Sequence, residues 1–300
     1  PCLVYSGVIV LQITRPSSTR CSLNLPFLLY SLQSRFVQNQ INAHEGAGST
    51  VSNLRIPVIH SLKIPLPEMA TQKRIAGILS ALDEKIELNR QTNATLEAIA
   101  QAIFKEWFVH YNYPGATGEF VDSELGLIPA GWRVGLFEDL MILQRGFDLP
   151  QKTRIPGKYT VIAASGPSGT HEEFKVKGPG VTTGRSGVLG NVFYSSDDFW
   201  PLNTSLWVKE FKQSTPIFAF YFLKSIDLSA MNGGSAVPTL NRNHVHALTV
   251  AIPPFDLIKE FEATVSPFLT MRKIKTGDSR ILEEIRDTLL PKLMRGEVVV

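Results

Sequence analysis

Cysteine is almost missing from this chain of 300 residues: only Cys2 and Cys21 are present. They have no CxxC spacing and no clustered histidines beside them. That excludes a disulfide framework or a zinc finger and fits a reducing, cytoplasmic setting. Long apolar runs are lacking too. The best candidate, Leu3 to Ile13, is broken by Ser6, Gly7 and Gln12. It falls far short of the roughly 20 residues of a membrane span and reads as a core strand. With no basic leader ahead of it, a signal peptide is not expected, and a chain that opens on Pro1 is expected to begin partway through a domain. Nor is there an excess of either charge: 30 Lys and Arg against 27 Asp and Glu give a net charge of +3. Such a balance permits a basic face without identifying a partner. The 44% hydrophobic content excludes disorder, and the length fits one or two globular units.

What the sequence does contain is a repeat. The segment GSTVSNLRIPVIHSLKIPLP from Gly48 and the segment GSAVPTLNRNHVHALTVAIP from Gly234 align at a constant shift of 186 positions with seven of twenty residues identical. The identities are Gly48/Gly234, Ser49/Ser235, Val51/Val237, Leu54/Leu240, His60/His246, Leu62/Leu248 and Pro67/Pro253. The register continues through Leu96/Leu282, Glu97/Glu283 and Ile99/Ile285, and upstream Pro26 to Ser34 resembles Pro216 to Ser225. One partial and one complete copy of a single unit are therefore joined in tandem.

Each copy ends in a helical heptad pattern. Ile75, Leu79, Leu82, Ile86, Asn89, Asn93, Leu96, Ala100, Ile103 and Trp107 follow by steps of four and three. The shifted series runs from Phe261 through Arg272, Lys275 and Ser279 to Leu289 and Leu293. Both seams are apolar at the ends and polar in the middle, which suits two helices that pair with each other in a fixed register. A helix from Thr71 to His110 is predicted. The alternative is that each helix covers only its own domain. A Gly- and Pro-punctuated linker follows from Tyr113 to Gly131. Beyond it, β-branched and aromatic runs at Tyr159 to Ala163, Val188 to Tyr194 and Leu206 to Val208 predict a β-rich region, closed by a helix over Pro216 to Ser225.

Catalytic signatures are weak. GPGVTTGRSG, Gly178 to Gly187, lacks the Gly-Lys-Ser/Thr ending of a phosphate loop. It is either a tight turn joining strands, or a turn from which Thr182, Thr183, Arg185 and Ser186 donate to DNA phosphates or base edges. AIPPF, Ala251 to Phe255, has Ile252 where an amino methyltransferase needs Asn or Asp, and reads as a strand exit and helix start. Glu173-Phe174-Lys175 and Asp83-Glu84-Lys85 read as solvated charge rather than a nuclease core. His244 and His246 could point together from a strand, but further metal ligands are not in local reach. Phe193, Tyr194, Phe199, Trp200 and Trp207 fit core packing better than stacking on a flipped base. Lys152, Arg154, Lys158, Lys175, Lys177 and Arg185, with His171, make a basic surface that could face phosphates.

IPAGWRV (Ile128 to Val134), GPGVTTGRSGVLGNVFY (Gly178 to Tyr194), DFWPLNTSLWVK (Asp198 to Lys209), GGSAVPTLNRNHV (Gly233 to Val245), QKRIAGILSALDEKIELNRQTN (Gln72 to Asn93) and LLPKLMRGEV (Leu289 to Val298) together resemble the specificity subunit of type I restriction-modification systems. The resemblance implies an α+β fold in which β-rich target recognition domains alternate with long helices that pair as an antiparallel coiled coil. In that reading residues 1–67 are the end of a truncated first recognition domain, 68–112 the central helix, 113–131 a linker, 132–255 the second recognition domain and 256–300 the C-terminal helix. Each domain would read half of a split double-stranded DNA target, the helices would set the spacing, and two methyltransferase (M) subunits would dock, bringing restriction (R) subunits with them. S-adenosylmethionine, ATP and Mg²⁺ would come with those partners; no cofactor, metal or catalytic residue is expected in this chain. The basic and hydroxyl residues Lys152, Arg154, Lys175, Lys177, Thr182, Thr183, Arg185 and Ser186 are the candidate DNA contacts. Two rival readings are a free-standing methyltransferase or nuclease, which would modify DNA unaided, and a coiled-coil scaffold without sequence-dependent DNA affinity.

Overall fold

A computed structural model describes residues 23–44, 56–233, 236–298 and 300. Both cysteines, the candidate strand at Leu3 to Ile13 and the repeat residues Gly48, Ser49, Val51, Leu54, Gly234 and Ser235 lie outside them. In chain order the helices are α1 (Leu25–Gln33), α2 (Arg35–His44), α3 (Ile56–Ser61), α4 (Met69–Phe108), α5 (Phe137–Leu140), α6 (Pro216–Ser225), α7 (Arg242–His246) and α8 (Phe255–Met294). The strands are β1 (Phe120–Ser123), β2 (Gly126–Pro129), β3 (Arg133–Leu136), β4 (Met141–Arg145), β5 (Tyr159–Ala163), β6 (Gly166–His171), β7 (Gly180–Gly184), β8 (Val192–Ser195), β9 (Phe199–Pro201), β10 (Ser205–Phe211) and β11 (Thr249–Ile252). The chain divides into two compact units, residues 1–95 with 271–300, and residues 96–270.

In the first unit the heptad seams pair antiparallel. Asp83 meets Arg286 at 2.8 Å, Asn89 meets Ser279 at 3.3 Å and Asn93 meets Thr276 at 3.1 Å, so positions rise along α4 as they fall along α8. The seam residues Leu79 and Asn89 are buried while their neighbours Ser80 and Arg90 are less so. α1 begins at Asn24, whose side chain accepts from the Phe27 N–H at 3.0 Å, with Pro26 in the first turn where no N–H is needed. It lays Phe27 and Tyr30 into a cluster with Ile75, Ala76 and Leu79 of α4 and Leu293 and Met294 of α8. Each such large apolar side chain contributes roughly 1.5–3 kcal/mol on full burial.

The second unit repeats that cluster with larger residues. Phe218 and Tyr221 of α6 pack with Phe261 and Val265 of α8 and with Phe104, Trp107 and Phe108 of α4. At the 186-residue shift Phe261 and Val265 stand for Ile75 and Leu79, and Leu293 and Met294 for Trp107 and Phe108. Phe218 and Tyr221 take the places of Phe27 and Tyr30. Each helix bundle is thus closed by the start of one long helix and the end of the other.

On this bundle the second unit carries the β-rich module. Its four-stranded antiparallel sheet runs in the order β4-β10-β7-β8, and α6 packs against β7 and β8. A three-stranded sheet, β6-β5-β9, pairs β5 with β9 in parallel, and β11 pairs with β3. The linker segment is more ordered than its Gly and Pro content suggests. β1 and β2 form an antiparallel hairpin, turned through Gly126 at φ +87° and pinned by the Ser123 hydroxyl on the Gly126 carbonyl at 2.6 Å. Ala251 to Phe255 is the strand exit and helix start that its sequence indicates.

Candidate nucleic-acid interface

All eight candidate DNA contacts fall in the β-rich module, and the structure separates them into three kinds. Lys152, Lys175 and Lys177 are exposed. Lys175 and Lys177 flank Val176, which is buried and bridged to Phe199, so both lysines project away from the core. Lys175 Nζ also lies 4.7 Å from the Trp200 ring centroid, a cation–π contact that steadies a long side chain without consuming its charge. Lys152 sits in a single 3₁₀ turn, Gln151–Thr153.

The Arg154 side chain and the Ser186 main chain serve the chain itself. The Arg154 guanidinium donates to the Ser168 carbonyl at 2.6 Å and to the Leu149 carbonyl at 3.4 Å, clamping the loop to β6. Ser186 is tied through its N–H to the Thr204 carbonyl at 3.0 Å and bridges to Thr239. Arg185, partly exposed, donates from Nη1 to the Asn203 carbonyl at 3.3 Å.

Thr182 and Thr183 require a correction. They are not in a turn but in the middle of β7, each 1% exposed, with Oγ1 atoms cut off from solvent. β7 is flanked on both sides, by β10 and β8, so neither hydroxyl reaches DNA in this structure. The glycines at 180 and 184 serve close packing instead. A Cβ on Gly184 would run into the Val188 carbonyl oxygen, and one on Gly180 into the Phe199 ring.

Two of the histidines, His246 and His171, hold main-chain groups in place. His244 and His246 lie on α7, not on a strand. His246 Nε2 accepts the Leu143 N–H at 2.9 Å and its ring stacks on Phe137, a geometry that requires the neutral imidazole; burial lowers its pKa accordingly. His171 Nδ1 accepts from the Ile155 N–H at 3.1 Å and stands edge-on to Trp200. Phe199 and Trp200 are buried, as core packing predicts. Asp83 is not free solvated charge: it accepts from Tyr30 at 2.6 Å and pairs with Arg286. Among the described residues, no group of three or more His, Cys, Asp or Glu could hold a metal ion, and no helix is long and apolar enough to cross a membrane.

A further polar group surrounds Arg185, and no single sequence motif contains its other members. At the end of the four-stranded sheet where Arg145 pairs with Leu206 and Gly184 with Ser205, the residues Arg145, Asp148, Asn203 and Arg185 come together. The Asn203 amide donates to Asp148 Oδ1, and Arg145 Nη2 lies 3.7 Å from the same oxygen. Asp148 and Asn203 are 55 positions apart, so no local motif could announce them.

A model of the type I restriction modification DNA specificity domain matches residues 11–98 and 129–276, covering both copies of the repeat. The chain belongs to this type I DNA specificity family. The MjaIX specificity subunit of Methanocaldococcus jannaschii is 26% identical over 303 aligned residues, covering 91% of this chain and 69% of that protein. The HindI specificity subunit of Haemophilus influenzae is 39% identical over 83 residues, covering 28% of this chain and 18% of that one. A type I S subunit structure from M. genitalium shares the fold, with a TM-score of 0.62 at 20% identity over 90% of this chain and 72% of that one. As a type I specificity chain the protein is a DNA-recognition component and not a catalyst.

Proposed function

We propose that this specificity chain reads a half-site of a bipartite double-stranded DNA target through the β-rich module of residues 132–255, and presents that site to two methyltransferase subunits and, through them, to restriction subunits. The proposed setting is the cytoplasm. The observation that supports it is the duplicated helix cluster, Phe27 and Tyr30 in one unit and Phe218 and Tyr221 in the other, which matches a protein organised around two equivalent recognition positions. In this reading residues 1–67 belong to the first recognition domain, and α4 and α8 are the spacer helices that fix the distance between half-sites.

Exposed Lys152, Lys175 and Lys177 supply phosphate contacts, which position the module without reading sequence. Arg154 supports the loop that presents Lys152. The decisive experiment incubates DNA with the chain assembled with its cognate methyltransferase subunit and maps methylated adenines. A single recurring motif is expected. Methylation by the chain with no partner added would favour a free-standing enzyme, and partner binding without any motif would favour a scaffold.

A further inference from the structure

Three turns meet at one end of the four-stranded sheet, and their main chains bond directly to one another. Gly146 N–H donates to the Ser205 carbonyl at 3.0 Å, Phe147 N–H to Pro201 at 2.8 Å, Asn203 N–H to Phe147 at 3.0 Å and Arg185 N–H to Thr204 at 2.8 Å. A Cβ on Gly146 would collide with the Leu202 and Pro201 carbonyl oxygens, so the backbones are packed as closely as they can be. The Arg145, Asp148 and Asn203 side chains take no part in these main-chain bonds, and Arg185 adds one, from Nη1 to the Asn203 carbonyl at 3.3 Å. Arg145 and Asp148 are 52% and 73% exposed.

Their chemistry does not suit phosphates alone. A surface built only to neutralise the DNA backbone needs donors, and an exposed carboxylate 3.7 Å from the Arg145 guanidinium weakens it. Base edges differ, because they present acceptors and donors side by side. Asp148 takes one N–H of the Asn203 amide and so fixes which way that amide faces. The other N–H and Oδ1 remain as a donor and acceptor pair, the complement of adenine N7 and N6 in the major groove.

Resting on the DNA-reading function proposed above, we propose that this edge is the base-reading surface of the module, with Asn203 reading an adenine, Asp148 acting as its positioning residue, and Arg145 and Arg185 facing guanine acceptors on either side.

The test selects binding sites from randomised duplex DNA with the complex of the full chain and its methyltransferase subunit. Asn203→Ala should erase the preference at one adenine position, a loss of roughly 5- to 150-fold in discrimination, and leave the rest of the motif and the salt dependence intact. Asp148→Asn should weaken the preference at that same position, an effect that a merely structural role would not confine to one base pair. Asp148→Asn keeps side-chain volume and every main-chain bond, so it carries the test if Asn203→Ala does not fold. An unchanged motif in folded variants, or a uniform loss at all positions, overturns the proposal. A wild-type complex that yields no motif overturns the DNA-reading function and this proposal together.

Discussion

Asn89 of α4, 1% exposed, donates its side-chain amide to the Ser279 hydroxyl of α8 at 3.3 Å, a polar contact in the middle of a helix seam that is apolar at its ends. Four residues on, Asn93 donates to Thr276 at 3.1 Å while its Oδ1 is buried without a partner. These contacts fix the register and cost stability, because a buried polar atom left unsatisfied is worth about 1–3 kcal/mol against the fold.

Replacing both with Leu is expected to raise the melting temperature. The Ser279 hydroxyl keeps its bond to the Lys275 carbonyl at 2.9 Å, so the change leaves no orphan there. Light scattering on the same variant should reveal additional assemblies, since the pair no longer penalises other registers. A double variant that melts lower and stays a single species removes this account of the seam.

Glu262 provides a pH test. Its Oε2 is cut off from solvent without a hydrogen-bond partner, and burial raises its pKa. The Thr215 hydroxyl beside it opposes the shift and is outweighed by burial. A carboxyl with a raised folded pKa favours folding below the unfolded value near 4.5 and loses that contribution as pH rises through the folded value. Glu262→Gln should therefore match the wild type in melting temperature below about pH 4.5 and exceed it at pH 8. Equal melting at both pH values contradicts the assignment.

Gly184→Ala should be severely destabilising, by about 2 kcal/mol or more, because the added methyl meets the Val188 carbonyl oxygen, a backbone atom with no room to withdraw. Gly187→Ala is the contrast: nothing lies within 4 Å of its Cβ position, and only the strain of φ +86° opposes the change, at roughly 1 kcal/mol. Denaturant titration of the two variants orders them.

Lys152, Lys175 and Lys177 are expected to act on all DNA sequences alike. Replacing the three with Ala should weaken binding uniformly and reduce the log-log salt slope by about 0.9 for each phosphate that the wild-type lysines neutralise. An unchanged slope takes these residues out of the interface.

Local signals in the sequence carried much of this. Pro216 followed by an unbroken apolar run specified α6 to its ends, and the β-branched stretch Tyr159 to Ala163 specified β5. The heptad steps identified α4 to within two residues of its observed bounds. Thr182 and Thr183 look like turn residues in the sequence because glycines stand at both ends of their five-residue segment. Here they permit a central strand to lie against the Phe199 ring and the Val188 backbone. The hairpin of β1 and β2 was hidden in the same way, by glycines that turn the chain rather than loosen it. Arg145, Asp148 and Asn203 were not legible at all, since what brings them together is sheet pairing between distant strands.

The interleaved helix ends also bear on the order in which the chain acquires structure. Residues 96–270 form one unit from a continuous stretch, so every group that closes its aromatic cluster has been synthesised once Thr270 leaves the ribosome. The other unit has to wait. Phe27 and Tyr30 are made early, yet their cluster is completed by Leu293 and Met294, and the Ser31 hydroxyl reaches the Met294 sulfur across 263 positions. Domains generally fold as they emerge, N-terminal first, whereas this cluster joins residues made early to residues made 263 positions later. Ending the chain after Thr270 would take Leu293 and Met294 from the cluster of Phe27 and Tyr30 and leave the aromatic cluster of residues 96–270 with all its members.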